Sequence, residues 1–279
     1  SIYLPGIVRH YQRRKMSKSL GNSPDPFMLI EQYGADRVRV GMLLCSPAGG
    51  DLLFDESLPE QGRNFANKIW NAMRLVKSWN VSDEVPQSPA AKAAIDWFAH
   101  KLNENITRLN SQFEQFRLSE ALMTVYRLFW DEFSAWFLES IKPAYQQPID
   151  RQSYDACIHY FEDLLRLLHP FMPFITEEAW HVIGEREVSD CLINASWPEN
   201  KDFDTTLLRE SDAIKSLIGQ VRNIRKDKNI SPRESLELMA IYHDTPKHES
   251  LQDIAMKLAN ISELQKISEK PENALSFMI

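Results

Sequence analysis

Apolar positions recur with a helical period along most of the chain. In residues 58–79, Phe65, Ile69, Ala72, Met73 and Val76 fall on one face. Residues 90–113 place Ile95, Phe98, Leu102, Ile106 and Leu109 at the same spacing. Residues 118–141 carry Leu122, Val125, Phe129, Phe133, Trp136 and Phe137, and Lys142-Pro143 ends that run. Residues 150–168 carry Ile158, Phe161, Leu164, Leu165 and Leu168, and His169-Pro170 stops it. Four amphipathic helices with short to moderate connections predict a helix bundle. The aromatic stripe Phe129, Phe133, Trp136 and Phe137 is expected in its core. Thr176 is expected to cap a short helix over 177–183, with two acids in its first turn.

The ends of the chain read differently. Ile2-Tyr3-Leu4 and Ile7-Val8 suggest a strand or hairpin edge. A basic loop follows, and Ser23-Pro24-Asp25-Pro26 forbids helix there but suits a helix start. Residues 27–33 predict a short helix stopped at Gly34, and Asp36 is expected to cap a helix over 37–45. Residues 46–50 and 185–206 read as loop, the second with extended chain. A helix is expected over 206–228. Strands over 236–242, 264–268 and 275–278 around a helix over 249–260 predict a small α+β appendage.

Composition agrees with this. Only 9 glycines occur in 279 residues, which favours helices over turn-rich β structure. Hydrophobic residues at 43% and charged residues at 25% fit a globular chain and exclude a disordered one. No apolar run approaches the ~18 residues of a membrane span, and the N-terminus has no signal-peptide pattern. Cys45, Cys157 and Cys191 are too few and too scattered for a disulfide framework, which suggests reduced thiols in a cytoplasmic protein. Seven histidines show no metal-ligand spacing, so no metal site is expected. With 32 Lys+Arg against 39 Asp+Glu, the net charge is −7. That argues against indiscriminate nucleic-acid binding but not against a local basic patch. One such patch is residues 63–77, which hold Arg63, Lys68, Arg74 and Lys77 and no acid. A second gathers Arg222, Arg225, Lys226, Lys228 and Arg233, broken by Asp227.

Lys15-Met16-Ser17-Lys18-Ser19, continued by Leu20-Gly21-Asn22, carries the candidate chemistry. Ammonium groups, hydroxyls and backbone N–H groups on a loop can hold a polyphosphate and stabilise charge that builds on it. The wording of this loop resembles the signature loop of class I aminoacyl-tRNA synthetases. The resemblance continues in Gly62-Arg63-Asn64-Phe65-Ala66-Asn67-Lys68-Ile69-Trp70-Asn71-Ala72-Met73-Arg74, in residues 169–180 from His169-Pro170 to Trp180, in Trp197-Pro198 and in residues 224–232. These stretches look like the valyl branch, with the isoleucyl and leucyl branches as close alternatives. A freestanding helical RNA-binding module is a rival of another class.

The resemblance implies a fold and a set of roles. The fold would be mainly α, an anticodon-binding helix bundle. A small remnant of an α/β catalytic domain would precede it and a small α+β appendage would follow. The division would be 1–56, 57–205 and 206–279. Lys18 and Lys15 would be catalytic, and Lys15, Met16, Ser17, Lys18 and Ser19 would bind ATP. Met16 is expected to anchor the loop by packing. Arg63, Asn67, Lys68, Asn71 and Arg74 would contact tRNA, and Arg222 and Arg225 would face its body. Leu75 stands where family members can carry an aromatic. The whole enzyme would use valine, ATP, Mg²⁺ and tRNA(Val), as a monomer away from membranes. The family's His-x-Gly-His-type motif is missing, so the chain reads as a C-terminal piece, inactive alone and holding no cofactor.

Overall fold

A computed structural model of the chain describes residues 8–10, 14–17, 19, 23, 25–44, 51–54, 58–241, 247–269, 271 and 276–278. Expectations for 1–7, 18, 45–50, 242 and 275, Lys18 and Cys45 among them, lie outside the described residues. The elements in chain order begin with β1 (Val8–His10), α1 (Pro26–Tyr33), α2 (Ala35–Leu44), β2 (Leu52–Phe54) and α3 (Leu58–Lys77). Then come β3 (Val81–Ser82), α4 (Pro89–Glu114), α5 (Leu118–Arg127), a π-helical segment (Leu128–Phe137) and α6 (Leu138–Ile141). β4 (Ile149–Asp150), α7 (Arg151–Leu168), α8 (Pro173–Ile183), a short 3-10 helix (Leu192–Asn194), α9 (Thr205–Asp227), β5 (Leu236–Ala240), α10 (Leu251–Ala259) and β6 (Ile261–Lys266) complete the order. The fold is mainly helical, as expected. Among the described residues no helix is long and apolar enough to cross a membrane.

Packing gathers the chain into two compact units. The first comprises residues 1–79, 104–134 and 155–201. In it β1 and β2 pair in parallel, Val8 opposite Leu52. Asp25 caps α1 by accepting from the Phe27 N–H at 2.9 Å, and Pro26 opens the helix. Gly34, at φ 88°, ends α1 with its N–H on the Ile30 carbonyl. α2 lies against α3 so closely that a Cβ on Gly62 would stand 2.7 Å from the Arg37 carbonyl oxygen. Phe129 meets both Phe65 and Phe161 edge-on, with centroids 5.9 and 5.6 Å apart. Cys157 is a buried free thiol, and burial pushes its ionisation up.

The second unit comprises residues 80–103, 135–154 and 202–279. β3 and β4 form a short parallel pair. Asp204 caps α9, accepting from Thr206 N–H at 2.7 Å and Leu207 N–H at 3.2 Å. β5, α10 and β6 make a parallel β–α–β appendage, with a register irregularity at Leu236/Glu237. Asn260 ends α10 in the left-handed region at φ 51°. Lys257 donates to the carbonyls of Ser140 at 2.6 Å and Lys142 at 2.9 Å, tying α10 to the end of α6.

Four local expectations change. Asp36 does not cap its own helix. It lies inside α2, and its carboxylate accepts from the N–H groups of Phe174 and Ile175, so it caps α8 instead. Thr176 therefore does not start a helix. α8 begins three residues earlier, with Pro173 in its first turn, and the Thr176 hydroxyl donates back to the Met172 carbonyl at 2.7 Å. The run over 118–141 is helical throughout, but its middle takes π geometry. Residues 276–278 are not strand.

Candidate nucleic-acid interface

α3 buries Phe65, Ile69, Ala72, Met73 and Val76, so helical geometry turns the intervening residues outward. Arg63, Asn64, Asn67, Asn71, Arg74 and Lys77 are all exposed. From Arg63 to Arg74 the stripe is about 16 Å long by helical rise. No Asp or Glu occurs from Gln61 to Ser82. Arg74 and Lys77 lie in the last turn, where the helix dipole favours cations, and Glu60 lies in the first. Guanidinium groups suit phosphate oxygens, and amides can donate to and accept from base edges. The predicted residues Arg63, Asn67, Asn71 and Arg74 thus share one outward face, with Lys68 at its half-buried edge. Trp70 and Leu75 are half-buried.

Beside Lys68 lies a feature that the sequence reading did not single out. The rings of Tyr126 and Trp130 stack with centroids 5.4 Å apart and planes 12° from parallel. Phe65 packs on Tyr126 from the core side, at 4.5 Å. The Lys68 ammonium stands over the Trp130 ring, 5.3 Å from its centroid. Tyr126 and Trp130 are half-buried, whereas Phe129, Phe133 and Phe137 are fully enclosed. Burial, and then the charge of Asp131, push the Tyr126 phenol up. The available signal was the four-residue spacing of Tyr126 and Trp130, one step off the core stripe.

The loop that carries the candidate chemistry starts with an antiparallel bridge between Arg9 and Lys15. Arg9 also pairs with Asp51. Lys15 and Ser19 are exposed, while Met16 and Ser17 are half-buried. The Ser17 and Ser19 hydroxyls are 2.7 Å apart, and the Ser19 N–H donates to Ser17 Oγ at 3.3 Å. The two serine hydroxyls thus bond each other locally, on the same loop as the exposed Lys15. The loop's described donors suit a polyphosphate, and no carboxylate among residues 14–19 would hold a metal ion.

α2 and α8 of the first unit meet through polar groups, of which Asp36 and Thr176 are buried, His169 is half-buried and Arg39 is exposed. Burial raises the Asp36 carboxyl, and the two α8 N–H bonds oppose that rise. Arg39 donates to the carbonyls of Pro170 at 2.9 Å and Phe171 at 3.2 Å. His169 Nδ1 is 2.8 Å from Thr176 Oγ1. The Thr176 proton is committed to Met172, so Nδ1 carries the hydrogen of that pair.

The second basic segment turns partly inward. Arg225 is 5% exposed, and its guanidinium donates to the carbonyls of Ser231, Ala259 and Asn260 at 2.9, 2.9 and 3.1 Å. It supplies donors to two carbonyls at the end of α10 and to one in the turn at Ser231. Arg222 is exposed but donates to the Leu258 carbonyl and lies 5.7 Å from the Trp136 ring. Among the described residues no group of three or more His, Cys, Asp or Glu could hold a metal ion.

Comparison with known proteins gives five results. Residues 96–240, more than half of the chain, match the anticodon-binding domain of tRNA ligase. Residues 1–55 match the class I tRNA synthetases (I, L, M and V). The valine–tRNA ligase of Parabacteroides distasonis is 50% identical over 279 residues, which are 100% of this chain and 32% of that protein. The valine–tRNA ligase of Thermotoga maritima is 32% identical over 274 residues, 97% of this chain and 31% of that protein. The chain thus spans about a third of the length of the curated relatives it matches. Among solved structures, the LeuRS of Agrobacterium radiobacter K84, in a ternary complex with tRNA and LeuAMS, superposes with a TM-score of 0.54. It is 22% identical, covers 74% of this chain and 24% of that one, and shares the fold.

Proposed function

Because the chain belongs to the anticodon-binding-domain family of the tRNA ligases, we propose that its helical part holds the anticodon arm of tRNA(Val). The observation that carries this reading is the exposed, acid-free stripe of α3. Arg63 and Arg74 take phosphates, and Asn67 and Asn71 reach unpaired bases one helical turn apart. Lys68 adds charge at the edge. Arg222 is a peripheral contact at most, and Arg225 belongs to the scaffold. The valine assignment rests on the relatives matched along the whole chain.

The loop at residues 15–19 serves the other half of the reaction in the whole protein. Lys15 and Lys18 neutralise ATP phosphates, and Ser17 and Ser19 donate to them or shape the turn. Met16 is the packing anchor. Mg²⁺ would arrive with the nucleotide, since this loop offers donors and no carboxylate. The parent is then a monomeric, cytoplasmic class I ligase that activates valine and transfers it to tRNA(Val). Residues 1–56 would belong to its catalytic domain, 57–205 to its anticodon domain and 206–279 to its C-terminal appendage.

The test is a mobility-shift titration of the 279-residue chain with tRNA(Val) and tRNA(Ile) across a salt series. Tighter binding of tRNA(Val), abolished by altering its anticodon and weakened by Arg74→Ala, is the expected result. Equal weak binding of both tRNAs, lost at modest salt, would sink the reading.

A further inference from the structure

Within the reading of α3 as a tRNA-binding face, on which this rests, we propose that Trp130 is the platform for one unpaired nucleobase. Lys68 is its movable cover: the ammonium leaves the ring for the phosphate of the nucleotide whose base stacks there.

Four observations support this. First, the indole is supported from behind. Phe65, Tyr126 and Trp130 form a triangle of rings, with Tyr126 stacked 5.4 Å from Trp130 and the buried Phe65 ring 4.5 Å from Tyr126 and 6.4 Å from Trp130. A ring fixed in that way loses little freedom when a base lands on it. Second, the outer partner is a cation held by the ring at 5.3 Å. Such a contact at a half-exposed site is weak, and a phosphate is a stronger partner for the same ammonium. Third, Asn67 precedes Lys68 and Asn71 follows it by three residues, both exposed on α3. Their amides lie where they can meet the edges of neighbouring bases. Fourth, charge is distributed unevenly around the ring. α3 contributes no acid from Gln61 to its end at Lys77, while Asp131 is exposed beside Trp130. A nucleotide is therefore steered with its phosphate toward α3. The base must be unpaired, since a duplex covers both faces of each base.

The test uses the 279-residue chain and two RNA probes. One is a hairpin with the anticodon arm of tRNA(Val), carrying a fluorescent adenine analogue in its loop. The other is a blunt duplex of the same stem. The wild type should quench the analogue on binding. Trp130→Leu should bind the hairpin about tenfold more weakly, lose the quench and bind the duplex unchanged. Trp130→Phe should retain most of the affinity. Lys68→Gln should lower the slope of log affinity against log salt by about one. Circular dichroism identifies an unfolded variant, and Trp130→Phe with Lys68→Gln then carries the test. If Trp130→Leu and Lys68→Gln bind and quench like wild type while Arg74→Ala weakens binding, the platform is overturned and the α3 reading stands. If the wild type binds neither tRNA nor hairpin, both fall.

Discussion

Arg225 and Arg74 are the same residue type in two basic segments, yet one holds the scaffold and the other faces solvent. The difference lies in what surrounds them. Arg225 meets three carbonyls where α10 ends and the 231 turn closes. Arg225→Met would leave those carbonyls without their donor, at a cost of about 2–3 kcal/mol in urea-unfolding stability. RNA affinity of the refolded variant should be unchanged. An unchanged urea midpoint would remove the structural role given to Arg225. The stripe of α3 was legible in the sequence because apolar spacing alone fixes which side faces out. The inward turn of Arg225 was not, because its partners lie thirty-odd residues away at Ala259 and Asn260. Trp130 was hidden for a similar reason. Its half-burial and its Lys68 cover depend on how α3 packs against the helix that carries it.

At the scale of elements, helix identity was legible and the source of each cap was not. The period gave α3, α4 and α7 nearly to the residue, since their apolar faces are continuous. α8 starts earlier than its sequence suggests because its N-terminal N–H groups are satisfied by Asp36 from α2. Asp36→Ala should therefore cost about 1–3 kcal/mol, and Asp36→Asn, which keeps an acceptor, clearly less. Equal losses in thermal unfolding would contradict the cap. The same junction predicts a pH effect. Burial holds His169 below its usual value of 6.5, against the pull of Glu177 and Asp36. The unfolded chain thus binds this proton at a higher pH than the folded chain, so stability falls as pH drops from 6.5 through the folded value. Asp36 acts oppositely. Its raised carboxyl binds a proton more readily when folded, so its contribution falls as pH rises from 3.8 through the folded value. His169→Gln should flatten the acid-side loss of stability just below pH 6.5 in urea midpoints, without shifting those above pH 7. An unaltered slope would assign that loss to other groups.

At the scale of the whole molecule, the sequence suggests three consecutive blocks, whereas packing gathers non-contiguous stretches into two units. Block boundaries carried over from the family resemblance follow the chain, but compactness follows helix contacts, and α4 and α7 each contribute to both units. Charge shows the same contrast between total and placement. A chain of net charge −7 repels a polyanion on average, so its affinity for RNA has to come from where cations stand free of acids. That condition is met along α3, where Arg63 and Arg74 are exposed on an acid-free stretch. Arg63→Ala with Arg74→Ala should lower the salt slope of tRNA binding by about two and the affinity by well over tenfold. Lys92→Ala with Arg209→Ala removes the same total charge from two other exposed positions and should leave the slope unchanged. If the two double variants weaken binding equally, net charge rather than the α3 stripe governs association. The chain would then hold RNA by its overall field, and no single helix face could be assigned the recognition.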